Sequence, residues 1–195
     1  MNPGLAGTDF DIAGLVSVLR TMAQRDGIWT AVSRPKGYIV LAQGEASAKV
    51  FVLESGLVKL IYETPGGDEW IKSFIVDSGM FASTWPTSAD RKSRFAARCL
   101  EDSRIATLPI TWVGSKIAGD PELQAAAAEF KDWVFRRKQA REEALLCDTA
   151  EQRYRSFLGN EAALASRLNQ ADIARYLGVT PVAFSRIKKR IGQQP

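Results

Sequence analysis

The pattern of apolar and polar positions divides the chain into a helix, a strand-rich stretch and a second helical stretch. Apolar residues at spacings of three and four predict a helix over residues 10–30, with Gly27 as its C-terminal stop. From Tyr38 to about Leu108, short runs rich in Val, Ile, Phe and Tyr alternate with turn residues. Five runs are predicted as strands: Tyr38–Leu41, Val50–Leu53, Leu57–Tyr62, Trp70–Val76 and Ile105–Leu108. This spacing indicates a β sandwich or barrel of about 80 residues.

A long helix is predicted over Pro121–Cys147, with Asp120 as its N-cap. At ~1.5 Å per residue it is about 40 Å long, too long to lie wholly on a domain of about 120 residues. We therefore expect a dimerisation helix with a coiled-coil-like seam, although an ordinary amphipathic helix packed on its own sheet is the alternative. The expected interface residues are Leu123, Phe130, Trp133 and Val134. The stripe is interrupted by Arg136, Arg137, Lys138 and Arg141.

Residues 170–189 fit the template of a helix-turn-helix. Ala174 is a small residue on the first helix, and Gly178, four residues later, supplies the left-handed conformation of the turn. Thr180 is suited to cap the second helix and Pro181 to occupy its first position. Apolar residues fill the positions where the two helices must pack: Ile173, Leu177, Val179, Phe184 and Ile187. The motif predicts DNA binding through the second helix, and any other helical hairpin is the alternative.

The outward face of the second helix carries the candidate DNA contacts, beginning at Thr180. Arg186 is the best candidate for a base contact, because a guanidinium bonds bidentately to guanine. Val182 could contact a thymine methyl group, and Ser185 a base or a phosphate. Phosphate contacts are expected from the basic residues Arg175, Lys188, Lys189 and Arg190.

The distribution of charge agrees with a polyanionic partner for the C-terminal segment. The formal net charge of the chain is +4. Residues 150–195 contain eight basic and three acidic residues, a net charge of +5, whereas residues 1–149 contain 18 basic and 19 acidic residues. A near-neutral body with a basic module favours nucleic acid as the partner, and a solvated basic tail is the alternative.

Composition removes several classes of site. The chain has no histidine, so it lacks the commonest general base, a Ser-His-Asp triad and a histidine-ligated haem. Its two cysteines, Cys99 and Cys147, exclude a disulfide framework and four-cysteine zinc or iron–sulfur sites. A redox switch between them is conceivable, but packed, inert thiols are expected. The expectation is therefore a protein that is not an enzyme and has no metal. Without an apolar span or a secretory signal, a cytoplasmic location is expected.

The order of a β-rich domain, a long helix and a helix-turn-helix resembles the Crp–Fnr superfamily of bacterial transcription regulators. The similarity lies in residues 37–38, 43–45, 51–60, 66–70, 149–158, 176–181 and 185–187. It implies an α+β chain with an N-terminal β jelly roll (double-stranded β-helix) as sensor domain over residues 1–119. A dimerisation helix would follow over 120–148, and an all-α helix-turn-helix domain without a full wing over 149–195. The implied function is a homodimer that binds a two-fold-related site in promoter DNA, with RNA polymerase as a further candidate partner.

The sequence departs from the family at its phosphate-binding cassette, a Gly-Glu pair followed about ten residues later by Arg-Ser or Arg-Thr. The two slots fall here on Ser83-Thr84 and Ser93-Arg94. A one-residue slip turns a strand side chain to the opposite face, so cyclic AMP and cyclic GMP are not expected to bind in the usual way and no cofactor is expected. Candidate positions for another effector are Ser83, Thr84, Arg94 and Trp133. An anion other than a cyclic nucleotide could use Arg91, Arg94 and Arg98, but these arginines are expected to be solvated surface charges.

Two alternatives to this interpretation remain. The β domain could serve only as a dimer scaffold for a protein that binds DNA without an effector. The chain could also be a small-molecule- or protein-binding module that does not use DNA. Salt dependence separates the DNA and protein alternatives, because DNA binding weakens steeply as phosphate counterions are released.

Overall fold

The structure, a computed structural model, describes residues 10–83 and 92–191. The chain divides into two compact units. One comprises residues 11–128; the other comprises residues 129 onward together with Phe10. None of the described helices is both long enough and apolar enough to cross a membrane.

The first unit is built from two antiparallel four-stranded sheets. It begins with α1 (Ile12–Arg25). Eight strands follow: β1 (Ala31–Arg34), β2 (Ile39–Leu41), β3 (Lys49–Ser55), β4 (Leu57–Glu63), β5 (Glu69–Val76), β6 (Gly79–Ala82), β7 (Ala96–Cys99) and β8 (Ser103–Pro109). The strand orders are β1-β8-β3-β6 and β2-β7-β4-β5. Then come α2 (Ile110–Ala118) and the start of α3 (Pro121–Cys147).

The core of this unit is formed by apolar side chains of the strands and the loops beside them. Phe51 of β3 stacks on Phe81 of β6, with ring centroids 4.9 Å apart. Val50–Leu53 and Leu57–Ile61 are buried at every position, which explains why the first is a continuous apolar run in the sequence and the second is apolar except at Lys59. All five predicted strands are confirmed to within two residues at each end. The short strands β1, β6 and β7 were missed, because each has only four residues and at least two of them are small or polar.

The N-terminal helix is shorter than predicted. It ends at Arg25, so the predicted extent to residue 30 is too long, whereas the prediction that Gly27 stops the helix is confirmed. Gly27, at φ +71°, donates its amide to the Gln24 carbonyl, and the Ile28 amide bonds to the Ala23 carbonyl. These two bonds form a Schellman motif, which closes the helix and leaves the next residues free to enter β1.

The second unit is helical. After α3, which has the predicted bounds, it contains α4 (Ala150–Asn160), α5 (Ala162–Arg167), α6 (Gln170–Tyr176) and α7 (Pro181–Ile191). Thr149 starts α4 with a capping box in which its side chain and that of Gln152 each accept the other residue's amide. Tyr154 of α4 meets Phe184 of α7 edge-on, with ring centroids 4.8 Å apart.

Candidate nucleic-acid interface

The turn between α6 and α7 has the conformation that the sequence predicts. Gly178 has φ +72°, a region in which a side chain is strained. Its amide donates to the Arg175 carbonyl at 3.4 Å, and the Val179 amide donates to the Ala174 carbonyl at 3.0 Å. This pair of bonds ends α6 in a Schellman motif and redirects the chain into α7.

Thr180 caps α7, as predicted. Its side-chain oxygen accepts the Ala183 amide at 3.2 Å, and its carbonyl accepts the Phe184 amide at 2.9 Å. Pro181 is the first residue of the helix, where a missing amide hydrogen costs nothing. The start of α7 is therefore fixed by its own sequence.

One face of α7 packs into the unit. Phe184 is 1% exposed, and Ile173, Ala174 and Leu177 beneath it are also buried. The remaining two predicted packing residues, Val179 and Ile187, are half-buried. The hairpin is thus anchored on one side of α7 only.

The opposite face of α7 is exposed. Val182 is 65% exposed, and Ser185, Arg186 and Lys189 are exposed as well. Because these four residues are spaced by three, one and three positions, they share one face of the helix. This exposed face carries an apolar methyl-bearing side chain, a hydroxyl and Arg186 in its N-terminal and central part, and Lys189 in the last turn. Such groups are suited to contacting base edges and phosphates.

The basic end of α7 is partly balanced by an acidic neighbour. Lys188, Lys189 and Arg190 lie in its last turn, where positive charge is favoured by the helix dipole. Arg190 Nη1 lies 3.8 Å from Glu151 Oε2 of α4, and Arg155 Nη2 lies 3.1 Å from the other oxygen of that carboxylate. The remaining candidate, Arg175, is half-buried in the last turn of α6.

The predicted dimer residues of α3 pack at least partly within the chain. Leu123 is 4% exposed in the first unit. In the second unit, Phe130 and Trp133 stack with ring centroids 5.9 Å apart, and Phe10 lies 5.5 Å from Phe130. Val134 is half-buried. The interface through these four residues stays a prediction.

Two other apolar side chains of α3, which sequence analysis did not select, are more exposed. Phe135 is 60% exposed and Leu146 is 78% exposed. The pattern gave no reason to separate them from their apolar neighbours, because exposure depends on what the rest of the chain covers.

Two of the basic residues that interrupt the apolar stripe of α3 have partners inside the second unit. The Arg137 guanidinium lies 4.9 Å from the centre of the Trp133 ring, and Nη2 is 3.8 Å from Glu161 Oε1. The Arg141 guanidinium lies 4.2 Å from the centre of the Tyr176 ring. Burial raises the pKa of Glu161, although Arg137 and Arg141 act in the opposite direction. These arginines therefore belong to a partly buried polar cluster.

The candidate effector positions are only partly described. Ser83, just after β6, is buried, and its hydroxyl has no hydrogen-bond partner among the described residues. Thr84 and Arg91 lie outside the described residues. Arg94 is exposed, while Ser93 is buried and donates its hydroxyl to the Phe95 carbonyl at 2.5 Å. Trp133, the fourth candidate, belongs to the second unit.

Arg98 is not the solvated surface charge that the sequence suggested. Its Nη1 donates to Glu69 Oε1 at 2.8 Å, and the other Glu69 oxygen lies 3.4 Å from Lys59 Nζ. Burial alone would raise the pKa of Glu69, but Lys59 and Arg98 outweigh it and lower that pKa. Strand pairing places Lys59 directly opposite Arg98, and cross-strand register of this kind was not available from the sequence pattern.

The two cysteines are free thiols in different surroundings. Cys99 of β7 is 1% exposed, and burial raises the pKa of its thiol. Cys147, the last residue of α3, is exposed.

Comparison with known proteins gives structural likeness only. No family model matches the sequence, and no curated protein matches it. A CooA mutant from Carboxydothermus hydrogenoformans is 17% identical, with 97% of this chain and 88% of that chain covered and a TM-score of 0.77. The c-di-GMP responsive global regulator CLP of Xanthomonas campestris is 14% identical, with 92% and 91% covered and a TM-score of 0.73.

A third solved structure, a Crp/Fnr-family transcriptional regulator from Thermus thermophilus, is 17% identical to this chain. The alignment covers 84% of this chain and 86% of the other, with a TM-score of 0.64. At these identities the likeness shows the fold. The chain has the Crp–Fnr fold, an α+β arrangement of a β-roll domain and a C-terminal helical domain.

Proposed function

We propose that this protein is a sequence-specific DNA-binding transcription regulator of the Crp–Fnr type, with α7 as its recognition helix. The observation that carries the proposal is the exposed face of α7, where Val182, Ser185, Arg186 and Lys189 stand on a helix that is capped at Thr180. Arg186 would bond to a guanine, and Lys188, Lys189 and Arg190 would bind phosphates.

The regulator would act as a homodimer on a two-fold-related promoter site. Support comes from α3, whose 27 residues exceed what one small domain needs, and from the exposed side chains of Phe135 and Leu146. A dimer would present two copies of α7 to successive major grooves, about one helical turn of DNA apart. Sedimentation analysis tests this part, with Phe135→Glu expected to weaken the dimer.

The β-roll domain would not bind cyclic AMP or cyclic GMP in the usual way. In the comparison with the family pattern, Thr84 occupies the position of the acid in the Gly-Glu pair, and Ser93 occupies the position of the phosphate-pairing arginine. The nearby Arg94 is displaced by one residue, so neither the acid nor the arginine is supplied in register. Isothermal titration with each cyclic nucleotide is expected to show no binding. Saturable binding would refute this part of the proposal and leave the DNA-binding part standing.

Selection from a random pool of duplex DNA tests the central proposal. The purified full chain is used without added ligand, and the retained duplexes are sequenced. A palindrome with half-sites about one helical turn apart is the expected result. No enrichment, either without ligand or with a cell extract of small molecules added, would refute it.

Salt dependence distinguishes DNA from a protein partner. Affinity for the selected duplex is expected to fall steeply between low and moderate salt, with a slope that reports the number of phosphates neutralised. Replacing Lys189 by Ala should reduce that slope by about one. A flat salt dependence would favour a protein-binding hairpin.

A further inference from the structure

The helix ends around the interface leave backbone carbonyls that need donors. The last four carbonyls of a helix have no partner within the helix. Here α3 ends at Cys147, α4 begins at Ala150, and α6 ends at Tyr176 immediately before the turn into α7. Two arginine side chains supply these donors.

Arg153 of α4 joins three segments. Its Nε donates to the Leu177 carbonyl at 2.9 Å. Its Nη1 donates to the Asp148 carbonyl at 2.5 Å and to the Ala144 carbonyl at 3.3 Å. One guanidinium thus connects the last turn of α3 and the residue after it to the residue before Gly178.

Arg141 of α3 makes a second connection to the same place. Its Nη2 donates to the Tyr176 carbonyl at 2.7 Å, and its guanidinium lies 4.2 Å from the centre of the Tyr176 ring. Hydrogen bonds from a charged donor are roughly twice as strong as neutral ones, and the planar guanidinium also suits an aromatic face. The carbonyls of residues 176 and 177 are therefore both held from outside their own helix.

These two carbonyls immediately precede the turn that sets the direction of α7. Gly178 follows Leu177 in the left-handed conformation, and Thr180 starts the recognition helix. A change in either tether would act on the direction of α7 relative to α3. Neither arginine lies within the helix-turn-helix, and neither was selected from the sequence as a DNA-contacting residue.

We propose that Arg153 and Arg141 are positioning residues that fix the recognition helix to the end of the long helix and thereby set the spacing of DNA half-sites that the dimer accepts. This inference rests on the proposed DNA-binding function. The planar guanidinium of Arg153 can donate to three carbonyls at once. A lysine retains the charge but cannot make the same set of hydrogen bonds.

The test uses the charge-preserving variants Arg153→Lys and Arg141→Lys in the full chain. Matched controls are Arg155→Lys, an exposed arginine on α4, and Arg136→Lys, an exposed arginine on α3. Affinity is measured for the site selected by wild-type protein and for the same site with one base pair added between its half-sites. Amide hydrogen exchange at Val179 is measured in parallel, below the unfolding temperature of every variant.

We expect wild type and both controls to prefer the selected spacing strongly, and Arg153→Lys to reduce that preference about tenfold. Exchange at Val179 should accelerate by about the same factor, because the turn opens more often. Arg141→Lys removes one hydrogen bond and should therefore reduce the spacing preference by a smaller factor. If Arg153→Lys does not fold, the Arg141→Lys variant alone tests the positioning role.

An unchanged spacing preference in both arginine variants would overturn the positioning role, even if exchange at Val179 accelerates. A wild-type protein that selects no DNA would refute the proposed function itself and this inference with it. That failure is visible before any variant is made, so the two failures are distinguishable.

Discussion

Gly178→Ala and Gly159→Ala are the same chemical change, and the structure predicts opposite effects on stability. At Gly178, φ is +72°, a conformation that costs an L-residue about 1–2 kcal/mol. The added Cβ would also lie 3.0 Å from Leu145 Cδ2, but that atom is the tip of a flexible side chain and adds little. Gly159 lies in the last turn of α4, and a Cβ added there would have open space around it, so alanine is expected to stabilise by up to about 0.5–1 kcal/mol.

The assay is urea unfolding of the full chain, followed by far-UV circular dichroism. The free energy of unfolding should fall by about 1–2 kcal/mol for Gly178→Ala and rise for Gly159→Ala. Gly178→Asn should lie between wild type and Gly178→Ala, because asparagine tolerates the left-handed region. A neutral or stabilising Gly178→Ala would refute the assignment of the turn, and the Gly159 variant controls for a general effect of removing a glycine.

Two further predictions concern the first unit and the cysteines. Glu69→Gln should destabilise the protein by about 1–3 kcal/mol, because Lys59 and Arg98 would lose the carboxylate they share; urea unfolding measures this. The pKa of Glu69 is lowered in the folded state, so its contribution to the free energy of unfolding is present above its unfolded pKa and is lost as pH falls through the folded pKa. The difference in stability between wild type and Glu69→Gln should therefore shrink in acid. Cys147 should react with a thiol reagent in the native protein well before Cys99, because the Cys99 thiol is buried and has a raised pKa. Mass spectrometry of the labelled peptides measures the two rates, and equal rates would contradict this prediction.

The elements that the sequence predicted well are those whose signal is local. Pro121–Cys147 has a capping residue before it, a proline at its first position and no internal proline or glycine, and its predicted bounds match the structure. In β3 and β4, Val50–Leu53 and Leu57–Ile61 are buried on both faces, and these segments are apolar in the sequence except at Lys59. The strand β7, with Arg98 in a four-residue segment, depends on pairing with β2 and β4, which no local pattern contains.

In the candidate site as well, the features with a local signal were predicted and those that depend on distant contacts were not. Gly178 and Thr180 were identified from the sequence, because a turn glycine and a helix cap act on their own immediate neighbours. The roles of Arg141 and Arg153 were not, since each bonds to carbonyls far away along the chain. The arginines that interrupt the apolar stripe of α3 looked like defects in a dimer seam, whereas Arg137 and Arg141 contact residues of the helical unit.

Base-specific recognition by α7 is tested most directly by comparing Arg186→Ala with Lys189→Ala on every single-base-pair variant of the selected site. Fluorescence anisotropy at fixed salt gives the affinities. Arg186→Ala should lose discrimination at one position of each half-site, worth about 1–3 kcal/mol, while Lys189→Ala should weaken binding to all variants alike. Uniform weakening by both substitutions would contradict the assignment of α7 as the helix that reads the base pairs.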